Sequence, residues 1–474
     1  MKKRIALLLI LALALGAAGC AAPGGVEVVV IDPPAAYVTL PPDAYTEPSQ
    51  GPVSPAETAA PTAVPTADPT PEPEPTPEPI PVSVEQAIAW YEYYPLDYEP
   101  VEREKELPNH PIEEPRYAMG EDGIYHSSEA DNDGESVIML TGDLMCQTRQ
   151  QEAGKTATGY DFRGSFDFVR NVFKKADLVV GNLEATLSES APYMAEMIDV
   201  EERPHLNAPA TFLEAIRDAG YDLVVMSNNH NCDTGVRGIY DTLDRVDEYK
   251  LIHTGLYRNA AECRYVVVDV NGINVGFMSY ATYFNHKEEH LTSDGVRILL
   301  NPYSKEIVER DVAAVKAAGA EYVMVYIHWG VEYENVPAEE QYVWAQELAD
   351  AGVDYIIGSH PHALQPYDRI TASDGRIVPI VYSMGNFVSH QKKVVTKDTI
   401  ILRIKLARDE NGNIYMKDEG YIPCRVFLSY KNRDYAVVPV TYPYNGGDYS
   451  EYFAPAYERI TGIIGNTIDI MGTL

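Results

Sequence analysis

Four apolar, strand-like runs of this chain each end in side chains that commonly bind metal ions. The side chains at these four ends are Asp143, the Asn229 and His230 pair, His328, and the His360 and His362 pair. In open α/β sheets, buried parallel strands read as continuous apolar runs, and ligands bind beyond their carboxyl ends. We therefore predict that these side chains converge on one metal site.

A fifth cluster, Asn182 and Glu184, follows the apolar run at residues 178–180. Two positions apart in extended backbone, both side chains would lie on one face, and the same spacing holds for His360 and His362. Each pattern alone has a simpler interpretation: a turn, a solvated carboxylate or a core histidine. Taken together they favour a metal site, and mixed oxygen and nitrogen ligands favour Mn, Fe or Zn over Ca or Mg.

Two further positions could take part in the chemistry without binding metal. His230 follows the amide ligand candidate Asn229 and could donate a proton to a leaving group. Glu332 and Tyr333 lie just beyond His328 and could orient a substrate, although an exposed helix start is the alternative interpretation of that pair. The candidate site thus contains groups for acid–base chemistry as well as for metal binding.

The elements that must position these residues follow an α/β pattern from Glu135 onward. Three times, a segment with helical spacing of apolar residues closes on a glycine and an apolar run follows; the glycines are Gly220, Gly319 and Gly352. Glycine after a helix tolerates the left-handed conformation that ends it. The pattern predicts a helix, a glycine cap and a buried strand in each case.

Beyond the candidate site, the pattern changes from helical spacing to alternation. Alternating apolar and polar residues at 399–406 are followed by Asn411 and Gly412 and then by the segment at 415–426. An Asn-Gly pair suits a tight primed turn, so we predict a β-hairpin here. The apolar residues near 460–470 favour a closing helix.

The amino-terminal end has the features of an export signal. A charged start at residues 1–4 precedes an apolar run at 5–18, which is too short to span a bilayer permanently. The sequence Gly-Ala-Ala-Gly-Cys at 16–20 resembles a bacterial lipobox, in which the cysteine is lipidated. We predict that residues 1–19 are a lipoprotein signal peptide and that Cys20 anchors the protein to the extracytoplasmic face of the cell membrane. Cleavage beside an unmodified Cys20 is the alternative.

Composition divides the rest of the chain. Residues 20–82 are rich in Pro, Thr and Glu, which predicts a disordered linker with extended, polyproline-like stretches. Residues 83–134 form an approach segment with no sustained periodicity, and residues 91–115 within it could pack along the body or stay mobile. We assign residues 135–395 to one α/β domain, and residues 396–474 to a hairpin and closing segment of the same domain.

Charge and cysteine content argue against two classes of protein. The chain has 37 Lys and Arg against 71 Asp and Glu, a formal net charge of -34, which argues against nucleic-acid binding because phosphate contacts need cationic side chains. A bound divalent cation would supply the positive centre that an anionic substrate requires. Apart from Cys20, four cysteines form no Cys-x-x-Cys pair, which argues against a zinc finger; one disulfide or buried free thiols remain open.

The order of the motifs resembles the CapA family of capsule-synthesis proteins, which is associated with poly-γ-glutamate. The matching segments are Gly-Asp-Leu-Met at 142–145, Gly-Asn-Leu-Glu at 181–184, Asn-Asn-His at 228–230, His-Trp-Gly at 328–330 with Glu332 and Tyr333, Gly-Ser-His-Pro-His at 358–362, Gln-Pro at 365–366 and Tyr-Ser-Met-Gly-Asn-Phe at 382–387. That family is similar in turn to the calcineurin-like metallophosphoesterases. The resemblance implies a four-layer α/β/β/α sandwich with two mixed sheets, preceded by the disordered linker.

The resemblance also implies roles for individual residues. The implied metal ligands are Asp143, Asn182 or Glu184 in place of a bridging aspartate, Asn229, His328, His360 and His362, with His230 as the proton donor and Glu332 and Tyr333 near the substrate. The implied cofactor is a divalent transition metal in a dinuclear centre of Mn, Fe or Zn. The chain departs from the superfamily at Met145, where the Asp-x-His pattern would place a nitrogen ligand.

Two functions follow as expectations. The first is a metal-dependent, metallophosphoesterase-like hydrolase that acts on an anionic polymer such as poly-γ-glutamate, or on a phosphoester, by two-metal hydrolysis. The alternative is a non-catalytic polymer-binding or accessory subunit of a membrane capsule synthase, with the metal fold as scaffold. The missing nitrogen ligand at Met145 favours the second somewhat. The expected partners are therefore the polymer, the membrane and synthase subunits.

Overall fold

The computed structural model describes residues 98–130, 134–197, 205–291, 293–429, 434–440, 450–465 and 468–470. The predicted signal peptide, Cys20 and the predicted linker at 20–82 lie outside the described residues. So do residues 83–97 and 131–133 of the segment that precedes the predicted domain.

The described residues form seventeen strands and eight α-helices. The strands are β1 (Tyr117–Met119), β2 (Tyr125–Ser127), β3 (Glu135–Leu144), β4 (Leu178–Leu183), β5 (Leu223–Val225), β6 (Ile252–Thr254), β7 (Val266–Val270), β8 (Ile273–Ala281), β9 (Tyr322–His328), β10 (Tyr355–Ser359), β11 (Leu364–Thr371), β12 (Ile377–Met384), β13 (Asn386–Val388), β14 (Asp398–Arg408), β15 (Ile414–Ser429), β16 (Asp434–Pro439) and β17 (Asp469–Ile470). The helices are α1 (Thr148–Gly154), α2 (Arg170–Phe173), α3 (Thr211–Ala219), α4 (Gly235–Glu248), α5 (Ser293–Leu299), α6 (Lys305–Ala317), α7 (Glu339–Ala351) and α8 (Ser450–Ile464). Short 3₁₀ helices lie at Arg163–Phe166, Met194–Glu196, Lys287–His290 and Val394–Lys397. No helix in the described ranges has the length and apolar character needed to cross a membrane.

The strands form two mixed sheets. The first has eight strands in the order β1-β2-β7-β8-β9-β10-β12-β11. The second has nine, in the order β16-β15-β14-β3-β4-β5-β6, with β13 beside β3 and β17 beside β15. Strands β3 to β6 run parallel, as do β8, β9, β10 and β12, so their carboxyl ends lie at one edge of each sheet.

Alternation along the central strands builds three cores. Ile138 and Leu140 of β3 face the first sheet and pack in one core with Phe277 of β8. Met139 faces the opposite way, into a core with α3 and α4. The outer face of the first sheet also packs against helices, because Val323 of β9 shares a core with α6 and α7. The layers are therefore helix, sheet, sheet and helix, and the predicted four-layer sandwich is confirmed.

Three helix-to-strand connections have the predicted form. Gly220 follows α3, Gly319 lies just beyond α6, and Gly352 follows α7, with φ angles of 109°, 101° and 104°. A residue with a Cβ is strained at such angles, whereas glycine is not. Strands β5, β9 and β10 follow these glycines, so each connection directs a strand toward the edge where the polar clusters lie.

The predicted hairpin is present, but its turn differs from the prediction. Strands β14 and β15 pair antiparallel, and Gly412 has a φ of 87°. A primed Asn-Gly turn would need a positive φ at Asn411 as well, which the structure does not have. The Asp409 carboxylate instead accepts the backbone N–H groups of Asn411 at 2.9 Å and Asn413 at 2.7 Å. That side-chain capping favours a wider loop, so the tight two-residue turn was wrong.

Residues 98–130 pack along the body, one of the two possibilities that the sequence left open. Strands β1 and β2 extend the first sheet through a parallel pair between β2 and β7. The Arg116 guanidinium binds both carboxylate oxygens of Asp222, one of them at 2.9 Å. The backbone N–H of His110 donates to the buried Glu214 at 2.9 Å. These contacts tie the segment to the helix layer of the second sheet.

Three of the four cysteines in the predicted domain, Cys146, Cys232 and Cys424, are buried free thiols. None of these three cysteines therefore forms a disulfide. Burial raises the pKa of each of the three thiols, which keeps them protonated and unreactive.

Candidate metal centre

Strand ends from both sheets meet at one polar pocket. Asp143 lies at the end of β3, and Asn182 lies near the end of β4 in the second sheet, while His328 ends β9 in the first. The two sheets touch here through polar groups, because His328 Nε2 lies 2.9 Å from Oδ1 of Asn229, in the loop after β5. The pocket is thus assembled across the interface between the sheets.

Gly142 sets the geometry around Asp143. The backbone N–H of Asp143 donates to the carbonyl of Gly385 at 3.1 Å, and a Cβ on Gly142 would lie 1.9 Å from that same carbonyl oxygen. Only glycine permits this approach. This close approach places Asn386 of β13 in register with Asp143. The Asp143 carboxylate accepts a hydrogen bond from Asn182 Nδ2 at 2.9 Å.

The Glu184 carboxylate lies at the centre of the pocket. It is fully buried, and neither of its oxygens has a hydrogen-bond partner. Its Oε1 lies 3.8 Å from Nε2 of both His230 and His362 and 3.9 Å from Nε2 of His328. These distances are too long for hydrogen bonds but leave space for an ion between the groups. Burial, together with the Asp143 carboxylate, raises the pKa of Glu184 well above its usual range.

Two other ligand candidates also have a buried oxygen without a hydrogen-bond partner. Oδ2 of Asp143 and Oδ1 of Asn182 are buried without a hydrogen-bond partner. An isolated buried carboxylate is strongly destabilising unless it is paired or coordinates a metal. The oxygen atoms therefore fit a cation, and this donor set is the chemical reason to expect one.

The histidines have the protonation state that metal binding requires. Ser359 Oγ lies 3.1 Å from Nδ1 of His328, and Asn386 Oδ1 lies 2.9 Å from Nδ1 of His362. The Asn386 oxygen accepts the proton on Nδ1 of His362, which leaves Nε2 of that ring free to bind a metal. Nε2 of His328 faces Asn229 Oδ1 at 2.9 Å. Burial, reinforced by the neighbouring histidines, lowers the pKa of His328 and His360 well below the usual range, so both are neutral.

His360 and His362 reach the pocket by strained backbone and not by strand alternation. Their φ angles are 95° and 55°, and Tyr333 opposite them has a φ of 71°. The expectation that both histidines point the same way along an extended chain is therefore wrong. Left-handed conformations at non-glycine residues cost about 1–3 kcal/mol each and cluster at functional sites.

Glu332 belongs to a second group of ligand atoms. Atoms of Glu332, His360 and His362 lie within 4.8 Å of one another, and a separate group with the same spacing consists of Asp143, Glu184 and His328. Residues 331–334 form a turn, and α7 begins only at Glu339, so the helix-start interpretation of this pair was wrong. Each group has ligand atoms close enough together to hold a metal ion.

His230 is held by a buried carboxylate. Its Nδ1 donates to Asp233 Oδ2 at 2.7 Å, which turns Nε2 toward the pocket. Burial alone would raise the pKa of Asp233, but His230 and Lys287 outweigh it and lower that pKa to about 2. An ionised Asp233 therefore orients the imidazole ring through its Nδ1–H, as a positioned proton donor needs.

Sequence reasoning missed several residues that hold the ligands. Asp233, Ser359 and Asn386 orient histidines, while Tyr283 contacts His360 and Asn285 accepts a hydrogen bond from Asn229 at 3.0 Å. Asn386 lies in a motif noted above, and Asp233 is three residues after His230, so both had a signal. Tyr283 and Asn285 come from the loop after β8 and had none.

The structure brings the predicted site residues together with one exception. Asp143, Asn182, Glu184, Asn229, His230, His328, Glu332, Tyr333, His360 and His362 form one continuous set of contacts. Cys20 lies outside the described residues.

A known protein family matches the stretch of chain that carries these site residues. The family model of the bacterial capsule synthesis protein PGA_cap matches residues 137–391, more than half of the chain. The chain belongs to this family. The resemblance to CapA proteins that the motifs indicated is thereby confirmed.

Curated relatives carry related names. The chain is 29% identical over 282 residues to the capsule biosynthesis protein CapA of Bacillus anthracis, covering 58% of this chain and 64% of that protein. It is 29% identical over 249 residues to the PGA biosynthesis protein CapA of Bacillus subtilis (strain 168), covering 52% and 62%. A probable polyglutamine synthesis accessory protein of Mycobacterium tuberculosis is 25% identical over 222 residues, covering 45% and 55%. The chain thus spans less than two thirds of each relative.

Solved structures give weaker likenesses. The calcineurin-like phosphoesterase YfkN from Bacillus subtilis aligns with a TM-score of 0.41 at 16% identity, covering 69% of this chain and 98% of that one. The NAD nucleotidase of Haemophilus influenzae aligns with a TM-score of 0.39 at 11% identity, covering 71% and 57%. At these scores we base no argument on either likeness.

Proposed function

We propose that the protein is a lipid-anchored, extracytoplasmic member of a poly-γ-glutamate capsule system. Its metal centre would act on an anionic polymer or a phosphoester during capsule biosynthesis or processing. The names of the curated relatives support the capsule assignment. The observation that carries the metal-dependent activity is the Glu184 carboxylate, buried without a partner among three histidine nitrogens.

Each group of ligand atoms would hold one ion. Asp143, Glu184 and His328 would hold the first, and Glu332, His360 and His362 the second. Bound divalent ions would polarise a carbonyl or phosphoryl oxygen of the substrate and stabilise the negative charge that develops on it. Mixed oxygen and nitrogen donors favour Mn, Fe or Zn.

The residues around the ligands have their own tasks. His230, oriented by Asp233, would donate a proton from Nε2 to the leaving group. Tyr333 follows the ligand candidate Glu332 on the turn opposite His360 and His362, where it would orient the substrate. The buried ligands below them keep bulk water away from the reacting bond, which strengthens every electrostatic interaction there.

The function is tested by metal content and turnover measured on the same samples. The purified full chain is compared with His360→Ala and His362→Ala, and with His126→Ala, a half-exposed histidine of β2, as the matched control. We expect wild type and His126→Ala to retain stoichiometric transition metal and to cleave a γ-glutamyl or phosphodiester substrate. The two pocket variants should lose both properties. Metal-free wild type, or pocket variants that keep full activity, would contradict the proposal.

The proposed location depends on Cys20 and on the linker at residues 20–82, which would hold the domain away from the membrane surface. Replacing Cys20 by Ser should move the protein from the membrane fraction to the soluble extracytoplasmic fraction. Equal membrane association of the variant would contradict lipid anchoring.

A second candidate is a non-catalytic accessory subunit that binds the polymer or a membrane synthase. Met145 favours it, because this buried thioether stands where the superfamily pattern has a ligand nitrogen. The name of the Mycobacterium tuberculosis relative, an accessory protein, agrees with it. Stoichiometric metal without turnover on either class of substrate would favour this candidate over the enzyme.

A further inference from the structure

Lys393 lies at the rim of the candidate metal centre, over the ring of Tyr333. Its Nζ is 3.5 Å from the Tyr333 ring centroid, and that centroid is 6.0 Å from the ring centroid of His362. The distance from the Lys393 ammonium to the His362 ring centroid is therefore at most the sum of these two distances. Lys393 is exposed, so a ligand in solvent can reach it.

The position of Tyr333 is set by the same loop that carries the histidines. The backbone N–H of Tyr333 donates to the carbonyl of Pro361, between His360 and His362, at 2.7 Å. This bond holds Tyr333 in its left-handed conformation and fixes the ring beside the pocket. Because the face of an aromatic ring attracts a cation, the ring in turn positions the ammonium of Lys393.

Charge gives this lysine a clear role. The chain has a net charge of -34, and the pocket itself contains the carboxylates of Asp143, Glu184 and Glu332. Within the part of the chain that the structure describes, Lys393 has no salt-bridge partner. The same loop also carries Lys392 and Lys397. The Lys393 ammonium beside the pocket offsets part of the repulsion that an anionic ligand would otherwise meet there.

We propose that Lys393, held on the face of Tyr333, binds a carboxylate of the polymer at a unit beside the one that occupies the metal centre. The inference rests on the proposed function and adds a second binding point to it. An ammonium offers three donors to a carboxylate. A polymer that repeats carboxylates can occupy both points at once, whereas a single glutamate occupies only one. Lys393 thereby selects polymer over monomer.

The test compares binding of oligomer and monomer by the Mn-loaded full chain at low salt. The probes are γ-linked glutamate oligomers and free glutamate, and the variants are Lys393→Gln, Lys393→Arg and Lys174→Gln. Lys174 is an exposed lysine that precedes β4, at the end of the strand opposite Asn182, and serves as the matched control. We expect Lys393→Gln to raise the Kd for the oligomer about three- to fivefold, the size of one exposed ion pair. Lys393→Arg and Lys174→Gln should bind the oligomer like wild type.

The Kd for free glutamate and the bound metal should be the same in all four proteins. Unchanged oligomer binding by Lys393→Gln would overturn the inference and leave the proposed function standing. An equal loss in Lys174→Gln, or an equal loss for oligomer and monomer, would overturn it too, because general charge or the metal centre would then be responsible. If metal-loaded wild type bound no oligomer, both the inference and the polymer substrate would be wrong.

Discussion

Two buried carboxylates of the second sheet have opposite surroundings. Asp398, at the start of β14, is 2% exposed and is bound by Arg425 and Arg459, the latter with Nε 2.7 Å from Oδ2. Glu184, just beyond β4, is 0% exposed and has no hydrogen-bond partner on either oxygen. A buried charge is tolerated only when it is paired or binds a metal. The first carboxylate is paired with two arginines of its own chain, whereas the second has no hydrogen-bond partner among the described residues.

The location of each carboxylate explains the difference. Arg425 belongs to β15 and Arg459 to α8, so Asp398 joins the second sheet to the closing helix. Phe453 and Ile460 of that helix add to the core between the sheets. Glu184 lies at the carboxyl ends of parallel strands, where α/β folds bind ligands. The two carboxylates are similarly buried, and the charge of their neighbours decides the role of each.

The largest effect is expected from breaking the paired cluster. Arg425→Met should lower the free energy of unfolding by about 3–5 kcal/mol, because it leaves the buried Asp398 with an incomplete set of partners. Urea denaturation of the purified full chain measures this. Arg403→Met is the matched control, since its partner Asp418 is 44% exposed and the pair should be worth at most about 1 kcal/mol. A loss of stability in Arg425→Met no larger than in the control would contradict the conclusion that Asp398 depends on its arginine partners.

Added metal should stabilise the protein only through the unpaired cluster. At Mn²⁺ one hundred times its Kd, the free energy of unfolding of the wild type should rise by about 2.7 kcal/mol. Glu184→Gln and His360→Ala should gain far less, whereas His126→Ala should gain as much as the wild type. Thermal melts at several Mn²⁺ concentrations provide the measurement. An equal gain in all four proteins would show that the ion binds elsewhere.

Removing the unpaired charge should stabilise the metal-free protein. Glu184→Gln replaces a buried, unpartnered carboxylate by a neutral amide of the same shape, so we expect a gain of about 1–3 kcal/mol without metal. Urea denaturation in the presence of a chelator tests this. Glu410→Gln, at an exposed loop position, should stay within about 0.5 kcal/mol of wild type. If Glu184→Gln destabilised the metal-free protein, the carboxylate would be part of the structural framework like Asp398.

The pH dependence of the free energy of unfolding should also reveal the unpaired Glu184 carboxylate. Because burial and Asp143 raise the pKa of Glu184 in the folded state, the unfolded state loses its proton first as pH rises above the ordinary value of 4.5. Metal-free wild type should therefore lose stability relative to Glu184→Gln above that pH, by about 1.4 kcal/mol per pH unit, until the folded-state pKa is reached. Saturating Mn²⁺ should abolish this difference in slope. Parallel pH profiles of the two metal-free proteins would contradict the raised pKa.

Sequence reasoning succeeded where local chemistry determines local structure. The glycines at 220, 319 and 352 end helices because only glycine adopts their backbone angles without strain, and apolar runs after them form buried strands. Neighbouring parallel strands place their carboxyl ends together, so the strand pattern was enough to predict that the side chains of Asp143 and Asn182 lie near one another. The motif order also identified the family.

Sequence reasoning failed where side chains from separate segments determine the geometry. Strand alternation was the wrong reason for pairing His360 with His362, because both adopt left-handed conformations beside the turn at Tyr333. The turn at Asn411 is capped by Asp409, a side-chain contact that the Asn-Gly pair does not reveal. Tyr283 contacts His360 from a loop 77 positions away along the chain, and no local pattern connects them.

The amino-acid sequence by itself determined the strands, the glycines that end the helices before them, and the family. These features depend on neighbours along the chain. Only the tertiary structure decided that Glu184 stands unpaired among three histidines while Asp398 is neutralised by two arginines. Both are acidic residues at the end of a strand or next to one, and the sequence around them does not distinguish their roles. What separates them is which distant groups fill the space around each charge, and that depends on how the two sheets pack together.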